Sequence, residues 1–136
     1  MQTSVLLSIK PEFAEKILSG TKRYEFRRVL FKSKSVSRIV IYASSPVQRV
    51  VGEFEIEEIL ELSKPRLWKR TKRHSGIKKA YFDQYFAGSG KAFAIKVCRP
   101  RRYSTPVPLR HICDIDRPPQ SFMYLNHEDV PTVAQI

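Results

Sequence analysis

The 136-residue chain has two cysteines, five glycines, three histidines and one tryptophan, and it is short of acids, with 13 against 25 lysines and arginines. Two cysteines, Cys98 and Cys113, make no disulfide framework, and without a leader they read as free thiols in a reducing compartment. No CxxC pair occurs, and the run His111-Ile112-Cys113-Asp114-Ile115-Asp116 matches no closed zinc arrangement, so no metal is expected. The glycines are scattered, which excludes a glycine-rich phosphate loop, and no cofactor is expected. No run of 18 apolar residues exists, which excludes a transmembrane helix of the usual kind. The opening Met1–Lys10 has neither a charged leader nor a cleavage site, so the expected location is cytoplasmic.

What is present is positive charge, unevenly placed. The formal charge is +12, which in a chain this short points to an anionic partner. From Leu62 to Phe82 there are eight bases (Lys64, Arg66, Lys69, Arg70, Lys72, Arg73, Lys78, Lys79) and no acid. From Gln84 to Cys113 there is again no acid, whereas Glu53, Glu55, Glu57, Glu58 and Glu61 share one segment. Segregated charge favours a directed basic surface. Nucleic acid fits it better than an anionic membrane, because no long amphipathic helix with bulky apolar residues accompanies the bases.

The hydrophobic pattern predicts strands at 3–9, 23–27, 37–43, 50–62, 91–97 and 103–109. It predicts helices from Pro11 to the stop at Gly20, from Pro65 to Thr71, and from Gly76, capped by Ser75, to Phe86. Within 50–62 the alternation breaks at Glu57-Glu58, which predicts a β-bulge. Pro118–Phe122 reads as a turn into a short helix or extended segment, and the chain from Asn126 as a mobile tail. Strands outnumber helices, so the expected fold is α+β: one domain over 1–125, a small mixed barrel with helices packed at its ends.

The stretch Gly20-Thr21-Lys22-Arg23-Tyr24-Glu25-Phe26-Arg27 is the main candidate site. A strand there puts Arg23, Glu25 and Arg27 on one face, with Lys22 at the turn. Such a group holds a phosphate or a base edge, or positions an acid/base pair; it is equally a solvated face with a weak ion pair. A lysine beside a glutamate stays protonated, which favours anion clamping over catalysis. Tyr42, at a strand end, and Trp68, within the basic run, are candidates for base stacking or ordinary core aromatics.

The chain resembles the ASCH family of the PUA-like superfamily. The matching residues are Ser8-Ile9-Lys10-Pro11, then Gly20-x-Lys22-x-x-Glu25-x-Arg27, Tyr42-Ala43-Ser44-Ser45-Pro46, Val51-Gly52-Glu53-Phe54, and Tyr85-Phe86-x-Gly88 before Ala92-Phe93-Ala94-Ile95. It looks closest to the branch described as predicted transcriptional regulators. The resemblance implies a PUA-like barrel with a cleft lined by the signature, and RNA or modified-nucleotide recognition. Together with the charge and aromatic pattern, it makes Lys10, Lys22, Glu25, Arg27, Tyr42, Ser44, Ser45 and Trp68 nucleic-acid-binding candidates, with Lys69, Arg70, Lys72 and Arg73 of the acid-free run tracking the backbone. Lys22 and Arg27 are expected to hold phosphate or carbonyl oxygens, and Glu25 to read a donor edge. The leading expectation is therefore an RNA-binding module. The alternatives are a hydrolase using Lys22 and Glu25 on a modified nucleoside or an RNA phosphodiester, and a protein-interaction module with an acidic partner. The family's amidohydrolases carry a lysine, a threonine and a glutamate. Here Lys22 matches, but Glu25 and Gly76 stand at the other two positions.

Overall fold

The computed structural model describes residues 3–125. The chain runs β1 (Thr3–Ile9), α1 (Pro11–Ser19), β2 (Tyr24–Arg27), β3 (Val36–Ala43), β4 (Arg49–Leu62), α2 (Lys64–Thr71), α3 (Lys79–Tyr85), β5 (Ala92–Val107) and β6 (Phe122–Leu125). Short 3-10 turns lie at Lys72–His74 and Leu109–His111. One mixed sheet results, in the order β2-β5-β4-β3-β1-β6. Only β1 and β3 run parallel, as expected where a helix such as α1 carries the chain back over the sheet.

The strands form where the sequence alternates or is continuously apolar. β1 buries Val5, Leu6, Leu7 and Ile9, and β3 buries Ile39, Val40 and Ile41, so both are central and covered on both faces. One core cluster joins Ile17 of α1 to Val5, Leu7, Ile39, Ile41, Phe54 and Ile95. A second lies on the opposite face, where Leu109 and Ile112 cover Leu6, Val40, Val50 and Tyr103. A third packs Leu67 of α2 and Phe82 of α3, with Phe86, against Phe26, Leu60 and Ala94.

The bulge expected near Glu57-Glu58 is present: the β4–β5 register slips between Ile56 and Glu58. The same pair slips twice more, at Val50/Gly52 and Glu53/Glu55. Bulges bend and twist a long ribbon, and here they let two strands serve three packing clusters. The sheet does not close, however. β2 and β6 each have one partner strand and are only four residues long, so the fold is barrel-like only in part.

Other local expectations shift. The strands expected at 91–97 and 103–109 are one strand, β5, which turns at Arg99 (φ 48°) without breaking. The helix expected from Gly76 begins at Lys79. Ser75 does not cap it; its hydroxyl accepts from the Ile77 N–H at 3.3 Å and lies 2.9 Å from the Ile77 carbonyl. The final segment is a strand added to β1, because Phe122–Leu125 meets the free edge of β1 in antiparallel register. The expected tail, 126–136, lies outside the described residues.

α1 approaches β4 at Gly52. A Cβ there would lie 2.6 Å from the Arg101 carbonyl oxygen and 2.7 Å from Leu18 Cδ2. The carbonyl belongs to the β-ladder and has little freedom to move. Gly52→Ala is therefore expected to destabilise the fold by about 1–3 kcal/mol, read as a lower urea midpoint with an unchanged slope.

Candidate functional site

α1 ends at Gly20, whose φ of 91° turns the chain out of the helix. The Thr21 and Lys22 amides both donate to the Lys16 carbonyl, each at 3.0 Å. This pair of hydrogen bonds fixes where Lys22 leaves the helix end and where β2 begins. From there Lys22, Glu25, Phe26 and Arg27 line a cavity of about 400 Å³. Ser8, Ile9 and Lys10 from the end of β1 form another wall, with Phe13 of α1, Ile77, and Tyr81 and Tyr85 of α3. Arg28, Val29, Gln120 and Ser121 complete the rim.

Lys22 is only 2% exposed. Its ammonium donates to the Ser75 carbonyl at 2.6 Å and sits 4.8 Å from the Phe26 ring centre and 5.3 Å from that of Phe13. Burial pulls its pKa down from 10.5 to about 8; the Glu25 charge opposes that shift and the Lys16 charge adds to it. Lys22 thus stays mainly protonated at neutral pH, as expected, but with a lowered pKa, because desolvation outweighs the Coulombic attraction of Glu25. Lys22 and Glu25 form no contact ion pair among the described residues. They face the same cavity instead.

This placement of Lys22 requires Gly76. A Cβ at position 76 would fall 2.5 Å from Lys22 Cγ and 2.6 Å from its Cβ, and the φ of +70° disfavours any L side chain. Where the resemblance led one to look for a glutamate, the lysine stem fills the space.

Glu25 is 5% exposed. Its Oε2 accepts from Arg27 Nη1 at 3.1 Å. Arg27 also donates to the Ser8 carbonyl (3.4 Å), to the Ser121 carbonyl (2.9 Å) and to Ser121 Oγ (3.1 Å). Four of the five guanidinium protons are therefore directed at protein acceptors. The sequence leads one to expect Arg27 to hold a ligand oxygen. The geometry makes it a tie between β2, the end of β1 and the 119–121 segment, which Ser8 Oγ also anchors through the Pro119 carbonyl at 2.7 Å.

Of the candidates read from sequence, Lys10, Lys22, Glu25 and Arg27 meet at the cavity. Tyr42 does not: it is 4% exposed and belongs to the core on the opposite face of the sheet. Ser44 and Ser45 form the turn after β3, with the Ser44 amide donating to the Ile9 carbonyl at 2.9 Å, and neither lines the cavity. Trp68 packs on Phe82 with ring centres 5.1 Å apart, as a core aromatic does. Lys69, Arg70, Lys72 and Arg73 are exposed on α2 and the turn after it. That turn reaches the cleft: the Arg23 amide donates to the His74 carbonyl at 2.9 Å, next to the Ser75 carbonyl that holds Lys22.

Sequence reasoning missed Phe13, Arg28, Tyr81, Tyr85 and Ser121. Tyr81 and Tyr85 carried a signal, two aromatics one helical turn apart. Ser121 carried none, because only folding brings it to Arg27. Burial raises the Tyr85 pKa; the nearby Glu25 adds to that rise, while Arg27 and Arg28 oppose it. No group of three or more His, Cys, Asp or Glu residues able to hold a metal stands together among the described residues. No helix among them is long and apolar enough to cross a membrane.

The sequence model of the ASCH domain matches residues 7–101. An ASCH domain-containing ribonuclease of Zymomonas mobilis is 33% identical over 134 residues, spanning 96% of this chain and 90% of that protein. The crystal structure of ASCH from Zymomonas mobilis superposes with a TM-score of 0.82 at 34% identity, covering 93% of this chain and 90% of the other. The N-terminal domain of Staphylothermus marinus McrB shares the fold more loosely, with a TM-score of 0.50 at 16% identity over 82% of this chain and 81% of that one.

The depressed Lys22 pKa has a stability consequence. Between about 8 and 10.5 the unfolded chain holds a proton that the folded chain has lost, so stability rises with pH across that window. Below it the penalty for burying the charge is fully present. Relative to Lys22→Met, the wild type is expected to gain up to about 3 kcal/mol between pH 8 and 10.5. Urea unfolding of both proteins at a series of pH values checks this; parallel curves would refute it.

Proposed function

This chain belongs to the ASCH domain family, and from that premise we propose that it binds single-stranded RNA, seating one nucleotide in the cleft. One observation carries the reading. A buried ammonium and a buried carboxylate face one aromatic-walled cavity without pairing to each other. A buried ammonium with no carboxylate in contact is unfavourable, while Arg27 contacts the carboxylate through Oε2, and a ligand that offers both an oxygen acceptor and an N–H donor uses both groups. A nucleotide does so, and a cavity of about 400 Å³ lies within the usual size for small-molecule sites. In this reading Glu25 accepts from the base edge and Lys22 donates to a carbonyl or phosphoryl oxygen. Lys10 and Arg28 take the phosphate, the role that the sequence suggests for Arg27. The basic ridge from Lys64 to Lys79 tracks the backbone outside.

A second reading, cleavage of the RNA phosphodiester, is favoured by the Lys22 pKa near 8 and by the name of the Zymomonas mobilis relative, a ribonuclease. Glu25 would take the proton of the attacking 2′-hydroxyl, and the Lys22 ammonium would neutralise charge growing on the phosphoryl oxygens. Nucleoside amide hydrolysis ranks lower, since Gly76 offers no carboxylate. If Lys22 works as a cation, cleavage falls as pH rises through about 8, and Lys22→Met removes the activity. A rate that climbs through the same range assigns Lys22 to proton removal instead.

For binding, joint neutralisation of Lys69, Arg70, Lys72 and Arg73 is expected to weaken all single-stranded RNAs alike. It should also flatten the salt slope by up to ~0.7 for each phosphate that is no longer neutralised. Glu25→Gln should leave the slope unchanged and alter preference among bases, because it turns an acceptor into a group that also donates. Salt titrations with several RNAs read both. An unchanged slope after the fourfold change points to an acidic protein partner.

A further inference from the structure

Two aromatic residues of the cleft have no part in the chemistry above. Tyr81 and Tyr85 stand one turn apart on α3, and both line the cavity. Their rings are parallel to within 9°, with centroids 6.4 Å apart. Each makes an edge-on contact, Tyr81 with Phe13 at 5.2 Å and Tyr85 with Phe86 at 4.9 Å. Each also carries a cation over its face. The Lys10 ammonium lies 5.2 Å from the Tyr81 centroid, and the Arg28 guanidinium 4.9 Å from that of Tyr85. Both rings are only partly buried.

Core aromatics do not require aligned, partly open faces. Nor does a site for phosphate alone, which uses the cations and leaves the rings idle. Parallel rings beside cations, lining the same cavity as a buried carboxylate, suit a flat and polarisable ligand with an adjacent negative charge. We propose that Tyr81 and Tyr85 form a stacking platform for an unpaired nucleobase, flanked by Lys10 and Arg28 for the phosphate next to it. The inference rests on the RNA reading and narrows it. The base enters the cleft ring-first, so the ligand is a strand whose bases are free; a duplex keeps its bases stacked inside.

The test compares oligo(rA) of eight nucleotides with inorganic polyphosphate of eight phosphates, which has the charge and no bases. Tyr81→Leu is expected to weaken oligo(rA) by about 5- to 150-fold, the span of ~1–3 kcal/mol per stacked base. Polyphosphate binding should stay unchanged, and Tyr81→Phe should keep wild-type affinity for both. On the unmodified protein, oligo(rA) but not polyphosphate should shift the Tyr81 and Tyr85 ring-proton resonances upfield. An equal loss for both ligands, or no ring shift, overturns the platform. If Tyr81→Leu changes neither ligand while neutralising the Lys69–Arg73 cluster weakens both, the platform falls and the RNA reading stands. If the wild type does not bind oligo(rA) at low salt, both fall.

Discussion

The burial of Lys22 is the constraint on which the cleft depends. An ammonium at 2% exposure is stable only where its protons have acceptors and its stem has room. The Ser75 carbonyl supplies the acceptor and Gly76 the room. Both lie at the end of the basic turn, with Ser75 53 residues further along the chain. The lysine therefore pins α1, β2 and the α2–α3 connection to one another. The same environment sets its chemistry. Desolvation brings the pKa to about 8, within reach of proton transfer near neutral pH, while the phenyl rings of Phe13 and Phe26 keep the ammonium facing aromatic surfaces.

Arg27 does for the other wall what Lys22 does for the first. Its guanidinium joins the Glu25 carboxylate, the end of β1 and the segment before β6. Without it the buried Glu25 would face the cavity with no cation in contact, an arrangement costing several kcal/mol. The arginine that sequence alone presents as a ligand-binding group is, in the fold, the contact ion-pair partner of Glu25. In the proposed reading, phosphate binding falls to the cationic side chains that line the cavity beside it, Lys10 and Arg28.

Much of the fold was legible because it is written in local patterns. Pro11 and Gly20 bracket α1, the alternation of β4 predicts its slip at Glu57, and the Lys22–Arg27 signature marks the cleft. What was not legible depends on distant contacts. β6 forms because β1 offers an open edge, and nothing in Phe122–Leu125 alone selects a strand over a helix. Tyr42 and Trp68 look like stacking residues in one dimension; the sheet turns one to the opposite core and packs the other on Phe82. Tyr81 and Tyr85 are ordinary helix aromatics until folding brings α3 to Phe13 and to the cavity that Glu25 shares.

The charge pattern shows most clearly how folding changes a sequence-level inference. In the sequence two acid-free segments carry bases, of which only Lys64–Lys79 is expected to track a backbone. In the fold, β4 carries its glutamates alongside β5. Glu53 binds Arg101 and Arg38 at 2.9 Å each, Glu55 binds Arg99 at 3.3 Å, Glu57 binds Lys96 at 2.8 Å, and Glu61 meets Lys91 at 3.7 Å. The bases of β5 are thus largely matched by acids one strand away. The α2–α3 segment has far fewer such partners, Glu58 for Arg70 and Asp83 for Lys79. The bases with fewest acidic partners among the described residues therefore lie on the ridge from Lys64 to Lys79, which runs past Ser75, the residue whose carbonyl holds Lys22. In the proposed reading, an anionic strand drawn to that ridge would arrive beside the cleft, so that attraction at long range and selection at short range would act on neighbouring parts of the same ligand.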